Sequence, residues 1–256
     1  ILKGIIETER GSEPAKVVTM PTDPTVSPIP QIVNSRIQRW ISRFAYGDQR
    51  VHFEKWVERS GKYVPMIKQA LREQGIPEDL AYLAMIESGY NPTVMSSARA
   101  VGMWQFMSAT GKQNGLKIDG YIDERRDPYK ATKAAAKHLR DLYFYWDKDW
   151  YLALASYNVS ERRLRQAINR FNTYDFWKLQ WPLPQQTRNF VPKFLAAVEV
   201  MNNLEKYGFA QPVTKPVDFE EVTISRQASL DVIAKSAGVR ESDVRDLNTE
   251  LVVSIT

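Results

Sequence analysis

The chain has 256 residues, 43% of them hydrophobic, with a formal net charge of +5 and a sequence pI of 9.2, enough to bury one large core and a small second one. It has no cysteine and only His52 and His138 as histidines, which excludes disulfides, thiolate catalysis and a two-histidine zinc motif, and argues against a Ser-His-Asp triad. There is no 18-residue apolar run, P-loop or Gly-rich dinucleotide fingerprint, and the scattered basic residues carry no nucleic-acid-binding signature.

Residues 1–32 contain Pro14, Pro21, Pro24, Pro28 and Pro30 and no helical periodicity, which predicts an extended arm over the domain. No signal peptide opens the chain, and Ile1 is not expected to be a native start, so a longer precursor is expected. Residues 33–210 read as helical almost throughout. Tyr63, Met66, Ile67, Ala70 and Leu71 mark one amphipathic helix.

From Pro77 a second helix is predicted, with Pro77 in its first turn and Glu78 and Asp79 at its positive end. Leu80, Leu83 and Ala84 recur at i, i+3 and i+4, and the next position of that face is Glu87. Gly89 then supplies a stop. Glu87 is thus expected at the end of a buried face, near the negative pole of a helix. Both conditions raise a carboxyl pKa and favour a general acid. The competing reading is a glutamate that turns outward or pairs with an arginine.

A loop rich in Ser and Ala follows, then Asp127-Pro128, an N-cap followed by proline. The helix it starts places Ala131, Ala134, Ala135, His138 and Leu142 on one face, and Lys130, Lys133, Lys137 and Arg140 on a solvated one. His138 therefore reads as a core-edge histidine. Trp150 to Asn158 reads as a buried helix, and Val191, Phe194, Leu195 and Val198 mark the last long one. The seven Trp and twelve Tyr are core residues or sugar-stacking platforms. Residues 211–217, with Pro212 and Pro216, read as a linker. In residues 218–256 a strand is predicted at Val222-Thr223-Ile224 and helices around Leu230-Ile233-Ala234 and Val244-Leu247. Gly238-Val239 is the turn between them, and Leu251 to Ile255 the returning strand.

Leu83, Glu87-Ser88, Pro92, Ser96 and Gly102-Met103-Trp104-Gln105 stand three, three, three and five residues apart, and Ser156-Tyr157-Asn158 follows. These ordered motifs resemble the catalytic signature of the bacterial lytic transglycosylases with a goose-lysozyme-like domain. Trp104, the stretch Asp123 to Pro128 and the stretch Thr187 to Phe194 resemble the membrane-bound lytic murein transglycosylase D branch. The likeness covers roughly residues 35 to 210 strongly. Residues 218–256 resemble a lysin motif, a βααβ glycan-binding module, degenerate or truncated here; Ser229-Leu230, Ile233-Ala234, Gly238-Val239 and Leu247-Asn248 match best.

The resemblance implies a mainly α, lysozyme-like catalytic domain that cleaves peptidoglycan strands without water, with Glu87 as acid and then base. It implies Ser96, Gln105, Met107, Tyr157 and Asn158 as groove residues, with Ser88 and Gly102 supporting them. No metal or cofactor is implied. The expected location is the bacterial periplasm or cell envelope, with outer-membrane association through a lipid anchor upstream. Two departures stand out. Val159-Ser160-Glu161-Arg162-Arg163 replaces the glycines that usually follow Tyr-Asn, and Arg99 stands where glycine is common. The alternatives are a lysozyme-like hydrolase using Asp119, Asp123, Glu124 or Asp127 as base, a non-catalytic peptidoglycan scaffold, and a basic nucleic-acid binder.

Overall fold

The computed structural model describes residues 2–4, 26–179, 183–214, 219–224 and 226–255. The fold is mainly helical. Helix α1 (Ser35–Ala45) starts at Asn34, whose side chain accepts from the N–H groups of Arg36 and Ile37. Helix α2 (Arg50–Glu73) buries Tyr63, Ile67, Ala70 and Leu71, the predicted face. The helix expected from Pro77 begins later. Pro77 is extended, Glu78–Leu80 form a 3-10 turn, and α3 runs Ala81–Ser88. Gly89, at φ +60°, ends it.

After the short α4 (Ser108–Gln113), Asp127 caps α5 (Pro128–Tyr145) as the sequence predicts. Asp149 caps α6 (Trp150–Asn158), the predicted span. Helices α7 (Glu161–Phe171) and α8 (Gln185–Asn202) complete the main body.

Two short helices determine where the site lies. Ala81 to Ile86 of α3 and Leu152 to Ser156 of α6 are all buried. A helix buried all round belongs in the centre of a bundle, and anything at its C-terminus is carried into the interior. Helix α8 packs against α1, α3 and α6 and ties these two to the outer layer.

The described part of the N-terminal arm lies over α5 and α6. Trp150 Nε1 donates to Ser27 O at 2.8 Å, Tyr151 Oη donates to Pro30 O at 2.7 Å, and Ile29 is buried. Pro14, Pro21 and Pro24 lie outside the described residues.

Residues 211–214 of the expected linker run along α2, where a Cβ on Gly61 would meet Val213 O at 2.1 Å. Beyond them, α9 (Leu230–Ala237) and α10 (Glu241–Leu247) bury Leu230, Ala234 and Val244 in a small second core. The predicted strand is displaced to β2 (Glu220–Val222), which pairs antiparallel with β1 (Leu2–Gly4). Among the described residues the expected βααβ sheet does not close, because β2 pairs with β1 and the last residues make only isolated bridges. Leu251 bridges Ile122, Ile255 bridges Ser229, and Val252 N–H donates to Tyr121 O at 2.9 Å.

Candidate active site

Glu87 occupies the last turn of α3 and is half-buried. Burial pushes its carboxyl up to about 7, against the opposing charge of Lys193, and no hydrogen bond contributes. The negative pole of α3 acts in the same direction as burial. A carboxyl so placed holds its proton near neutral pH and gives it up to a modest base.

Two side chains feel this carboxyl from other helices. Tyr157, on α6, is pushed well above the ordinary tyrosine range by burial and then by the charge of Glu87. Its hydroxyl donates to Trp104 O at 2.8 Å, which holds the second motif against the third. Lys193, on α8, is pushed down by burial and held up by Glu87. Its ammonium donates to Ile86 O at 2.9 Å and lies 5.9 and 5.7 Å from the rings of Trp40 and Trp56.

The loop from Tyr90 to Met107 is built from backbone turns that few residues tolerate. Tyr90, Arg99 and Gln105 have φ of +60°, +64° and +51°. Gly102 has φ +84°, and a Cβ there would stand 1.9 Å from Arg125 O. The close approach that demands glycine is therefore to protein backbone. Trp104 is fully buried and its Nε1 donates to Thr132 Oγ1 at 2.9 Å. Arg125 donates to Arg99 O at 3.1 Å and to Phe106 O at 3.0 Å.

The remaining named residues divide by position. Ser88 Oγ donates to Met103 O at 2.9 Å and accepts from Asn91 N–H at 3.1 Å, bracing the helix end against the loop. Ser96 Oγ accepts from Ala100 N–H at 3.0 Å. Gln105 Nε2 donates to Gly102 O at 2.8 Å. Asn158 Oδ1 accepts from Thr187 Oγ1 at 2.9 Å, joining α6 to α8. Gln105, Met107 and Tyr157 line one small cavity of about 60 Å³ together with Phe106, Thr110 and His138. His138 stands 5.7 Å from the Tyr157 ring, and burial pushes its pKa down. A larger cavity, of about 560 Å³, lies between α2 and Gly208–Val213 and contains none of the motif residues.

Sequence reasoning missed Lys193 at the site, although it lies inside the Thr187–Phe194 stretch that was singled out. Its neighbourhood is visible only once α8 packs on α3. Phe106 and Thr110 join the site only where the loop and α4 meet His138 of α5 and Tyr157 of α6, which no local pattern shows.

The acidic loop is fully engaged. Asp123 pairs with Arg125 at 2.8 Å, and both are buried. Glu124 pairs with Lys130 at 2.5 Å. Asp119 accepts from the N–H groups of Tyr121 and Ile122, and Asp127 from those of Tyr129 and Lys130. After Asn158, Val159 and Ser160 are extended (φ −132° and −59°) and α7 starts at Glu161, a path without the positive φ that the usual glycines permit.

Residues 65–180 match the model of the Transglycosylase SLT domain family. The membrane-bound lytic murein transglycosylase D of Escherichia coli K12 is 34% identical over 195 residues, which cover 74% of this chain and 43% of that protein. The peptidoglycan transglycosylase gp16 of phage T7 is 32% identical over 163 residues, covering 62% of this chain and 12% of that one. The chain thus spans less than half the length of these relatives. Among solved structures, a 70-kDa soluble lytic transglycosylase in complex with bulgecin A aligns with a TM-score of 0.53 at 21% identity, over 70% of this chain and 30% of that one. An inactive mutant of lytic transglycosylase Slt from Pseudomonas aeruginosa aligns at 0.50 and 18%, over 70% and 29%. Residues 65–180 therefore match the Transglycosylase SLT domain family, the chain is similar in sequence to membrane-bound lytic murein transglycosylase D, and the solved lytic transglycosylases share its fold.

Proposed function

We propose that the protein is a peptidoglycan lytic transglycosylase of the bacterial periplasm or cell envelope. Glu87 protonates the oxygen between N-acetylmuramic acid and N-acetylglucosamine as the C1–O bond breaks, and the leaving sugar departs with its hydroxyl restored. The acetamido group of the substrate stabilises the cation at C1. Ionised Glu87 then takes the proton of the C6 hydroxyl, and the C6 oxygen closes on C1 to give a 1,6-anhydro end. One carboxyl gives a proton and regains one, so water and a second carboxylate are not consumed.

The observation that carries this reading is a half-buried carboxyl at about 7, combined with an acidic loop whose candidate bases are engaged in caps and pairs. An inverting hydrolase needs a free base about 6.5–9.5 Å from the acid to activate water. In this reading Gln105, Met107 and Tyr157 line the groove and Ser96 faces the glycan. Asn158, Ser88 and Gly102 hold the loops that present them. Tyr157 also keeps the surroundings of Glu87 apolar. Residues 218–256 are taken as a lysin-motif-like segment that packs on the catalytic body.

The test is digestion of purified peptidoglycan in heavy-oxygen water with mass spectrometry of the products. Unlabelled 1,6-anhydromuramoyl ends are expected, because their ring oxygen comes from the sugar. Stoichiometric label at C1 would establish hydrolysis and overturn the assignment.

A further inference from the structure

A second recess opens on the α1–α8 face, with a volume of about 290 Å³. Arg36, Arg39 and Arg43 reach it from α1 and Arg188 from α8, with Trp40, Gln185 and Asn189 between them; none of the seven is acidic. Arg36, Arg39 and Arg43 follow one another at i, i+3 and i+7, and Gln185, Arg188 and Asn189 at i, i+3 and i+4, so each helix turns one face to the recess. Arg43 is fixed by Asp48, Nε to Oδ1 at 2.9 Å and a terminal nitrogen to Oδ2 at 2.7 Å, with its guanidinium 4.5 Å above Trp40. The recess adjoins the catalytic region. The Trp40 ring that lines it is the ring beside Lys193, whose ammonium bonds to the carbonyl of Ile86, next to Glu87.

We propose that this recess is a carboxylate-binding subsite that takes the peptide stem carried by the glycan strand, an inference that rests on the glycan chemistry proposed for Glu87. Guanidinium forks match carboxylates in bidentate geometry. The Gln185 and Asn189 amides suit the backbone of a short peptide, and Trp40 offers an apolar face to its aliphatic side chains. The volume fits a few residues. A nucleic-acid strand would instead need a long basic track with several stacking platforms, and this recess is a single pocket one side chain removed from the catalytic turn. A strand bound at Glu87 carries its stems away from the scissile bond, and a basic recess joined to the Glu87 turn through Trp40 and Lys193 can add affinity without touching that bond.

The experiment has two arms. In the first, calorimetry on the full chain compares a soluble muramoyl peptide bearing free carboxylates with its carboxamide analogue. The carboxylate form is expected to bind about tenfold more tightly, the weight of one charged hydrogen-bond pair at a half-exposed site. The advantage is expected to vanish in Arg36→Gln/Arg39→Gln. Equal binding of the two peptides, an unchanged preference in the variant, or equal displacement by inorganic phosphate would overturn the proposal; the last would mark a generic anion site.

In the second arm, kinetics are measured on strands with their stems and on strands stripped by an amidase. The double variant is expected to raise KM about tenfold on stem-bearing strands while leaving kcat and the stripped-strand kinetics within about twofold. An equal effect on both strands would overturn the subsite. Absence of anhydro ends from either strand with the wild-type protein would instead overturn the function proposed for Glu87, and the calorimetric arm still decides the subsite.

Discussion

The raised pKa of Glu87 comes from burial, and burial has a thermodynamic signature that can be measured apart from any turnover. In the unfolded chain the carboxyl ionises near its ordinary value of 4.5, and in the folded protein at about 7. Between these values the folded state holds the extra proton, so stability falls as pH rises through that window and levels off above it. The full difference corresponds to roughly 3 kcal/mol. Glu87→Gln mimics the protonated form. It should lower turnover by at least about 10²–10⁴-fold, the worth of one acid or base role, and yet stabilise the protein at pH 8 by up to about 3 kcal/mol. Denaturant melts at pH 8 and pH 4 check this, and the gain should be absent at pH 4. Lys193 sets the other limit, since its charge pulls the Glu87 pKa down. Lys193→Met should move the alkaline limb of the kcat/KM profile to higher pH; an unmoved limb would mean that the two groups are not coupled. Glu87 is legible in the sequence because its neighbours on the face lie within two helical turns. Lys193 is not, because it is 107 residues from Ile86, the residue it bonds to, and no local period connects them.

At the level of elements, helix existence follows from short-range signals and loop geometry does not. Helix α6 begins after the cap Asp149 and ends at Asn158 as its apolar run implies, because capping and burial act over a few residues. The start of α3 is misplaced by the same reasoning. Pro77 adopts φ −57° and ψ 133°, and the chain tightens through a 3-10 turn before the helix proper. The loop from Tyr90 to Met107 is a different matter, since its shape is imposed by Arg125 and by Thr132 of α5, which hold it from elements distant in sequence. Glycine at 102 is readable as a special position, but the neighbour that requires it, the Arg125 carbonyl, is not. Gly102→Ala should destabilise the protein by about 2–4 kcal/mol, through both the positive φ and the clash, as read from the denaturant midpoint. Tyr157→Phe removes the hydroxyl that holds Trp104 O at 2.8 Å. It should cost about 1 kcal/mol, and it should reduce kcat more than it raises KM, because it loosens the second motif beside Glu87.

Across the whole molecule, the last forty residues do two things that the sequence presents as one. Their pattern resembles a glycan-binding module, and helices α9 and α10 form where that pattern puts them. Their final residues, however, are used to dock. Asp123 N–H donates to Glu250 O at 2.8 Å, Val252 N–H to Tyr121 O at 2.9 Å, and Thr249 Oγ1 to Arg126 O at 2.7 Å. These bonds grip the loop that also presents Arg125 to the carbonyls of Arg99 and Phe106, so the C-terminal segment supports the Tyr90–Met107 loop through Arg125. Strand direction is legible from hydrophobic alternation, but the choice of partner is not, because any exposed edge satisfies the same hydrogen bonds. Three such bonds at about 1 kcal/mol each predict that deleting residues 219–256 lowers stability by about 3 kcal/mol. For a chain of this size that is a fall of roughly 6–12 °C in Tm. The carboxyl and its two charged and aromatic neighbours stay in place, so turnover of soluble glycan fragments should remain within a few-fold of the full chain below the lowered Tm. Thr249→Val isolates the docking contribution. A drop in Tm of about 2–4 °C with unchanged binding to insoluble sacculi would assign the segment to support. An unchanged Tm in the deletion would remove that role and leave attachment to glycan as its use.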